Sequence, residues 1–175
     1  MDWATATNHS RTVELASVLA PELAEAWDDP AYAATLFAIS DRTWDIMGKN
    51  DGLGDYEGIL TAVLNSTAYA AGFRKILLYN VHPGEALTYF QLQARASLHK
   101  ERAQQGQDLT TALEGQVIGM QLGEDVSAAT GVGTLTLIPA AQEIGNATVI
   151  FGPDVLAGNA SVIAVDKVLL PSLFA

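Results

Sequence analysis

The order of periodicities along this chain limits its fold more than any other feature. Through the first half, apolar residues recur at helical spacing: Val13, Ala16 and Leu19, then Ile59, Leu60, Val63 and Leu64, then Tyr69, Phe73, Ile76 and Leu77. From Leu109 onward the pattern becomes that of strands, at 109–113, 117–122, 134–138, 147–151 and 161–170, punctuated by Gly115, Gly131, Gly133, Gly145 and Gly158. Helices first and strands later segregate the two kinds of element. That order predicts an α+β domain with a largely antiparallel sheet system, not alternating βαβ units. One apolar run, at 35–38, interrupts the helical half and reads as a short buried strand. Ser40 follows as a helix cap, with Asp41 in the first turn, where the helix dipole favours negative charge.

Local signals fill in the rest. Thr12 reads as the cap of a first helix, Pro21 as the opening residue of a second, and Asp28-Asp29-Pro30 as its stop. Gly48 is placed to end the helix that Ser40 begins, and 49–58 reads as a glycine-rich acidic loop. Ser66 or Thr67 caps the next helix, which leads into a strand over 79–82 and a Pro83-Gly84 turn. Residues 86–108 are polar enough to read as an enlarged surface excursion, partly helical. Trp27 and Trp44 are expected in the core and Trp3 in a tail.

A chain of 175 residues fits a single domain, here placed at 12–172 between tails at 1–11 and 173–175. Hydrophobic residues at 49% and charged residues at 17% describe a globular chain and argue against a disordered one. The net charge of -11 would repel nucleic-acid phosphates and anionic lipid, so neither is an expected partner. With no cysteine, disulfides, thiolate catalysis and cysteine-ligated zinc are excluded. Apolar runs fall short of the ~20 residues a membrane helix needs, so direct membrane insertion is not expected, and Met1-Asp2-Trp3-Ala4 has neither the basic start nor the apolar core of a secretion signal.

Three segments carry a family resemblance. Ala34-Thr35-Leu36-Phe37-Ala38-Ile39-Ser40-Asp41-Arg42-Thr43-Trp44 resembles the opening motif of fasciclin-like (fasciclin I type) domains, T-V-F-A-P-T-D-x-A-F. Leu77-Leu78-Tyr79-Asn80-Val81-His82-Pro83-Gly84 is similar to their central L-L-Y-H-V-V-P-G. Ser161-Val162-Ile163-Ala164-Val165-Asp166-Lys167-Val168-Leu169-Leu170-Pro171 is similar to their closing G-V-I-H-V-I-D-K-V-L-L-P. The resemblance runs from about Thr12 to Pro171. It implies a wedge-shaped, largely antiparallel β-sandwich with several helices packed along one side. It also implies a secreted, periplasmic or cell-surface protein that binds a matrix, wall or polysaccharide ligand without catalysis, alone or beside sibling domains in a longer protein.

The departures from the pattern are specific. Ile39 stands where the family has proline, Asn80 and Ile163 where it has histidines, and Ala160 where it has glycine. Loss of both histidines reads as an internal polar contact replaced by apolar packing. Asp166 and Lys167 match. The resemblance thus gives Tyr79, Asn80, His82, Asp166 and Lys167 as binding candidates, in a loop around Tyr79–Gly84 and at the end of the closing strand. For Asp166, acceptance of backbone hydrogen bonds at a half-buried site is the competing structural role.

Other chemistry is thin. No G-x-S-x-G elbow is present. If the chain hydrolysed esters linked to wall carbohydrate, His82 would be the base and Ser40 and Asp41 its companions; against that, Ser40 is a natural cap and His82 a turn residue. A structural spacer in a larger surface protein is a further alternative. His9, His82 and His99 share no ligand spacing and are expected to be solvated, and no cofactor is expected. Asp51, Asp55 and Glu57 gather oxygens and glycines as a calcium loop would, without the required register, so a solvated turn is the simpler reading.

Overall fold

Strand β1 (Ala34–Ile39) is the axis of the molecule: all six of its residues are buried, and it is hydrogen-bonded on both sides. The computed structural model describes residues 8–102, 108–126, 133–141, 145–150, 155–157 and 159–172. Before β1 lie helices α1 (Ser10–Leu19) and α2 (Pro21–Asp28). After it come α3 (Asp41–Asn50), α4 (Tyr56–Asn65), α5 (Thr67–Tyr79), β2 (Val81–Pro83) and α6 (Tyr89–Arg102). The remainder is strand: β3 (Leu109–Thr110), β4 (Val117–Val126), β5 (Gly133–Ile138), β6 (Ala147–Thr148), β7 (Val155–Ala157) and β8 (Ala160–Val165).

Two four-stranded sheets result, in the orders β2-β1-β8-β7 and β3-β4-β5-β6. The β1–β8 pair is parallel, from Ala34 opposite Ala160 to Ile39 opposite Val165; the other strand pairs are antiparallel. Alternation along the strands divides the core in two. Leu36, Ala38 and Val162 pack with Leu15, Trp27, Trp44, Ile59 and Phe73 of the helical layer. Phe37, Ile163 and Val165 pack with Ile118, Leu135 and Leu137 of the second sheet and Leu92 of α6. The sheets are also tied by the amide of Ala112 donating to the carbonyl of Val81 at 2.8 Å and by a bridge between Val149 and Val165.

Much of this follows from short-range chemistry. Pro21 opens α2, and Ser40 and Ser66 cap α3 and α5 by accepting from the amides of Thr43 and Tyr69. Trp27 and Trp44 are core residues; Trp3 lies outside the described residues.

Several expectations are corrected. Thr12 is not a cap but lies inside α1, where its hydroxyl donates to the carbonyl of Ile39 at 3.0 Å and accepts from the indole of Trp44 at 2.9 Å. Gly48 does not end α3, which continues to Asn50; it lets α3 pass against the chain before α4, because a Cβ there would sit 2.3 Å from the carbonyl oxygen of Asp55. The loop between the two helices is therefore only 51–55. Tyr79 is the last residue of α5, and the strand begins at Val81. Segment 86–108 is no surface excursion over its first half: Leu87, Tyr89, Leu92 and Ala96 are buried in the second core. The side chains of 98–107 lie outside the described residues.

Candidate binding groove

The central motif, expected to offer a binding loop, is buried. Tyr79 is fully enclosed, its hydroxyl donating to the carbonyl of Val117 at 2.7 Å and accepting from the amide of Ala140 at 2.8 Å. Burial pushes its phenol above the ordinary value. Asn80 is 2% exposed, and its amide donates to the carbonyls of Ile76 at 2.8 Å and Leu169 at 2.9 Å. Position 80 therefore keeps a polar contact, contrary to the apolar replacement expected there, whereas Ile163 does join the apolar core. His82 is buried as well, not solvated; its Nδ1 lies 2.7 Å from the carbonyl of Thr110 and must donate there, since a carbonyl only accepts. Its Nε2 lies 3.5 Å from Glu85, which Arg95 also engages. Arg95 first, and His82 second, hold the Glu85 carboxyl below the usual range. His9 is likewise buried against the carbonyl of Ile39, and the His99 side chain is outside the described residues.

The hydrolase constellation is not assembled. His82 pairs with Thr35 at one end of β1, whereas Ser40 and Asp41 follow its other end. Five residues of strand separate the two ends by roughly 16 Å. Ser40 is engaged as a helix cap, and Asp41 accepts from the Ser10 hydroxyl at 2.6 Å and the Arg11 amide at 3.0 Å. Nor do the calcium candidates converge. Asp55 caps α4 by accepting from the amide of Gly58, Glu57 lies in the first turn of that helix, and Asp51 ends α3. Among the described residues, no three acidic or histidine side chains gather as a metal site would require.

Among the described residues, the surface opens into a groove beside α3. One lobe, of about 330 Å3, lies between a single stripe of α3 (Thr43, Ile46, Met47 and Asn50) and the segment after β8, which supplies Asp166, Lys167, Val168 and Leu170. A second lobe, of about 310 Å3, lies between Met47 and a stripe of α5: Ala68, Tyr69, Gly72, Phe73 and Ile76. Met47 and Asp51 line both lobes, which are therefore neighbours on the surface. Ile46, in the first lobe, and Tyr69, in the second, are 46% and 44% exposed.

Of the five binding candidates, Asp166 and Lys167 line this groove and Tyr79, Asn80 and His82 do not. Asp166 is exposed, not half-buried, and its carboxylate accepts from the amide of Thr148 at 2.6 Å, as the structural role required. Ile46, Met47, Tyr69 and Gly72 were missed; Tyr69 and Met47 sit on faces whose spacing reads as core.

This architecture is similar to that of a solved structure. A FAS1 domain pair from the insect cell adhesion molecule fasciclin I matches at a TM-score of 0.60 and 16% identity, over 94% of this chain and 46% of that one. This chain thus spans about half the length of the solved pair and has the fold of a FAS1 domain. No family model matches the sequence, and no curated protein matches it.

Proposed function

We propose that this chain is a non-catalytic binding module of the cell-adhesion type, working in a secreted, periplasmic or cell-surface setting on a matrix or wall component. The observation that carries the reading is the open apolar groove flanked by Asp166 and Lys167. Solvent-facing apolar surface of this kind marks a binding site more often than an accident of packing. The FAS1 fold, shared with an insect cell adhesion molecule, supports the same class. Separation of His82 from Ser40 and Asp41 by the length of β1 argues against ester hydrolysis by that set. No helix among the described residues is long and apolar enough to cross a membrane.

The test is depletion of the purified chain from solution by insoluble wall polymers and immobilised matrix proteins, at low and high salt. The expected result is saturable, salt-tolerant retention by at least one of them, reduced roughly tenfold in Ile46→Asp with no fall in melting temperature. A spacer would show no retention on any surface, and equal retention of the variant would remove the groove from the mechanism.

A further inference from the structure

Four segments of the sequence share a pattern that the groove does not explain. Asn8-His9-Ser10, Asn65-Ser66-Thr67, Asn146-Ala147-Thr148 and Asn159-Ala160-Ser161 each place a hydroxyl two residues after an asparagine, with no proline between, which is the acceptor pattern for N-linked glycans. A single match of this kind is weak. Here four of the six asparagines carry it, although serine and threonine make up only about an eighth of the chain and chance would supply fewer than one.

The structure sorts the six asparagines in the same way. Asn8, Asn65, Asn146 and Asn159 are all exposed, and each stands where a regular element begins or ends: ahead of α1, at the close of α4, ahead of β6 and in the turn from β7 to β8. A bulky, hydrated group attached at these places displaces nothing from either core. Asn65 donates its amide to the carbonyl of Thr61 at 2.8 Å, and the one N–H left after modification is enough for that bond. The two asparagines outside the pattern are those that a glycan would not suit. Asn80 is buried and bonded to the carbonyls of Ile76 and Leu169, and Asn50 is exposed but lines the groove.

Ser161 is an independent sign. It is fully buried in β8, and its hydroxyl has no hydrogen-bond partner among the described residues. A buried, unpaired hydroxyl opposes folding, and alanine at that position would avoid the cost. The hydroxyl has a use before the strand forms, when the extended chain is read together with Asn159.

We propose that Asn8, Asn65, Asn146 and Asn159 carry N-linked glycans, added during synthesis by a membrane-bound oligosaccharyltransferase. The amide nitrogen of each asparagine bonds to the anomeric carbon of an oligosaccharide held on a lipid pyrophosphate. The bond from that carbon to the phosphate oxygen breaks, the lipid pyrophosphate leaves with the electron pair, and the amide gives up one proton. This rests on the secreted or cell-surface setting proposed above and adds to it a modification whose attachment points all lie outside the groove lining.

The test uses the chain purified from the cells that make it, with the compartment of recovery recorded. Peptide N-glycosidase in heavy-oxygen water turns each glycan-bearing asparagine into a labelled aspartate, which peptide mass spectrometry locates. Labels are expected at Asn8, Asn65, Asn146 and Asn159, and at neither Asn50 nor Asn80. Ser161→Ala made in the same cells should lose the label at Asn159 alone, and the same variant made without glycans should melt at a temperature no lower than that of the unglycosylated parent. A bare asparagine at any of the four positions overturns the inference for that site, and bare asparagines at all four overturn it altogether. Retention of the Asn159 label in Ser161→Ala, or a lower melting temperature of that variant, overturns the role given to the Ser161 hydroxyl. Unlabelled chain recovered from the medium, the periplasm or the cell surface overturns this inference alone; unlabelled chain confined to the cytosol overturns the setting beneath it as well.

Discussion

Replacing Gly72 and Gly48 by alanine, one at a time, should change stability in opposite directions. Alanine is favoured over glycine in a helix interior by ~0.8–1.0 kcal/mol. At Gly72 the new methyl group meets open space, so Gly72→Ala should be more stable by nearly that whole amount, raising the melting temperature by roughly 2–4 °C for a chain this long. At Gly48 the methyl carbon would lie 2.3 Å from the carbonyl oxygen and 2.6 Å from the carbonyl carbon of Asp55. Ordinary contact requires α3 to move away by roughly 1 Å, and the atoms struck belong to backbone that also caps α4. Overpacking of this kind costs ~1–3 kcal/mol, which offsets the propensity gain and leaves Gly48→Ala less stable by up to about 2 kcal/mol. Urea unfolding followed by circular dichroism at 222 nm measures both on one scale. Equal stabilisation by the two substitutions would refute the close approach of α3 to Asp55, and destabilisation by Gly72→Ala would refute the open second lobe.

Three further outcomes are expected. Asn80→Leu, close in volume, strips the side-chain donors from the carbonyls of Ile76 and Leu169 and should cost ~1–3 kcal/mol in the same urea assay; a neutral result would mean that those bonds do not hold α5 to the closing segment. Glu85, lowered mainly by Arg95, has a folded value below its unfolded one, so its stabilisation is complete above about pH 4.5 and is lost as pH falls through the folded value. The group is half-exposed and the effect is at most ~0.5 kcal/mol, but Glu85→Gln should flatten the acid limb of the stability profile, and an unchanged limb would speak against the Arg95 contact. Tyr56 is pushed up by burial first and by the hydrogen bond to Glu14 second, so its contribution is present below about pH 10 and is lost as pH rises further. Tyr56→Phe should shift alkaline unfolding to higher pH, read by absorbance at 295 nm against circular dichroism; an identical midpoint would refute the assignment.

What was legible in the sequence is what neighbours in sequence decide. The strand, cap and helix of Ala34–Trp44 could be read because Ser40 caps the amide of Thr43, three residues away. Thr12 was misread because its partners, Ile39 and Trp44, lie 27 and 32 residues away. Gly48 looked like a terminator because the need for a bare backbone arises only when α3 meets the chain ahead of α4. The 86–108 segment was misjudged on its polar content, although Tyr89, Leu92 and Ala96 already stand at helical spacing. Half of the groove, Asp166 and Lys167, was reachable through the family resemblance. The other half was not, because amphipathic spacing marks a face as apolar without saying whether another element covers it, and Ile46, Met47 and Tyr69 lie on stripes that the fold leaves partly bare.

The parallel pairing of β1 with β8 gives the chain a particular life on the ribosome. The strand at the centre of the first sheet leaves the exit tunnel early and waits for a partner more than 120 residues downstream. Helices α1 to α5 can associate in the meantime, but until Ala160–Val165 has been made β1 offers an open edge that is apolar except at Thr35. Contacts this distant in sequence form slowly, and nascent chains stalled before that point expose a surface suited to intermolecular strand pairing. Synthesis of the last strand, more than any event in the helical half, closes the window in which this protein can aggregate.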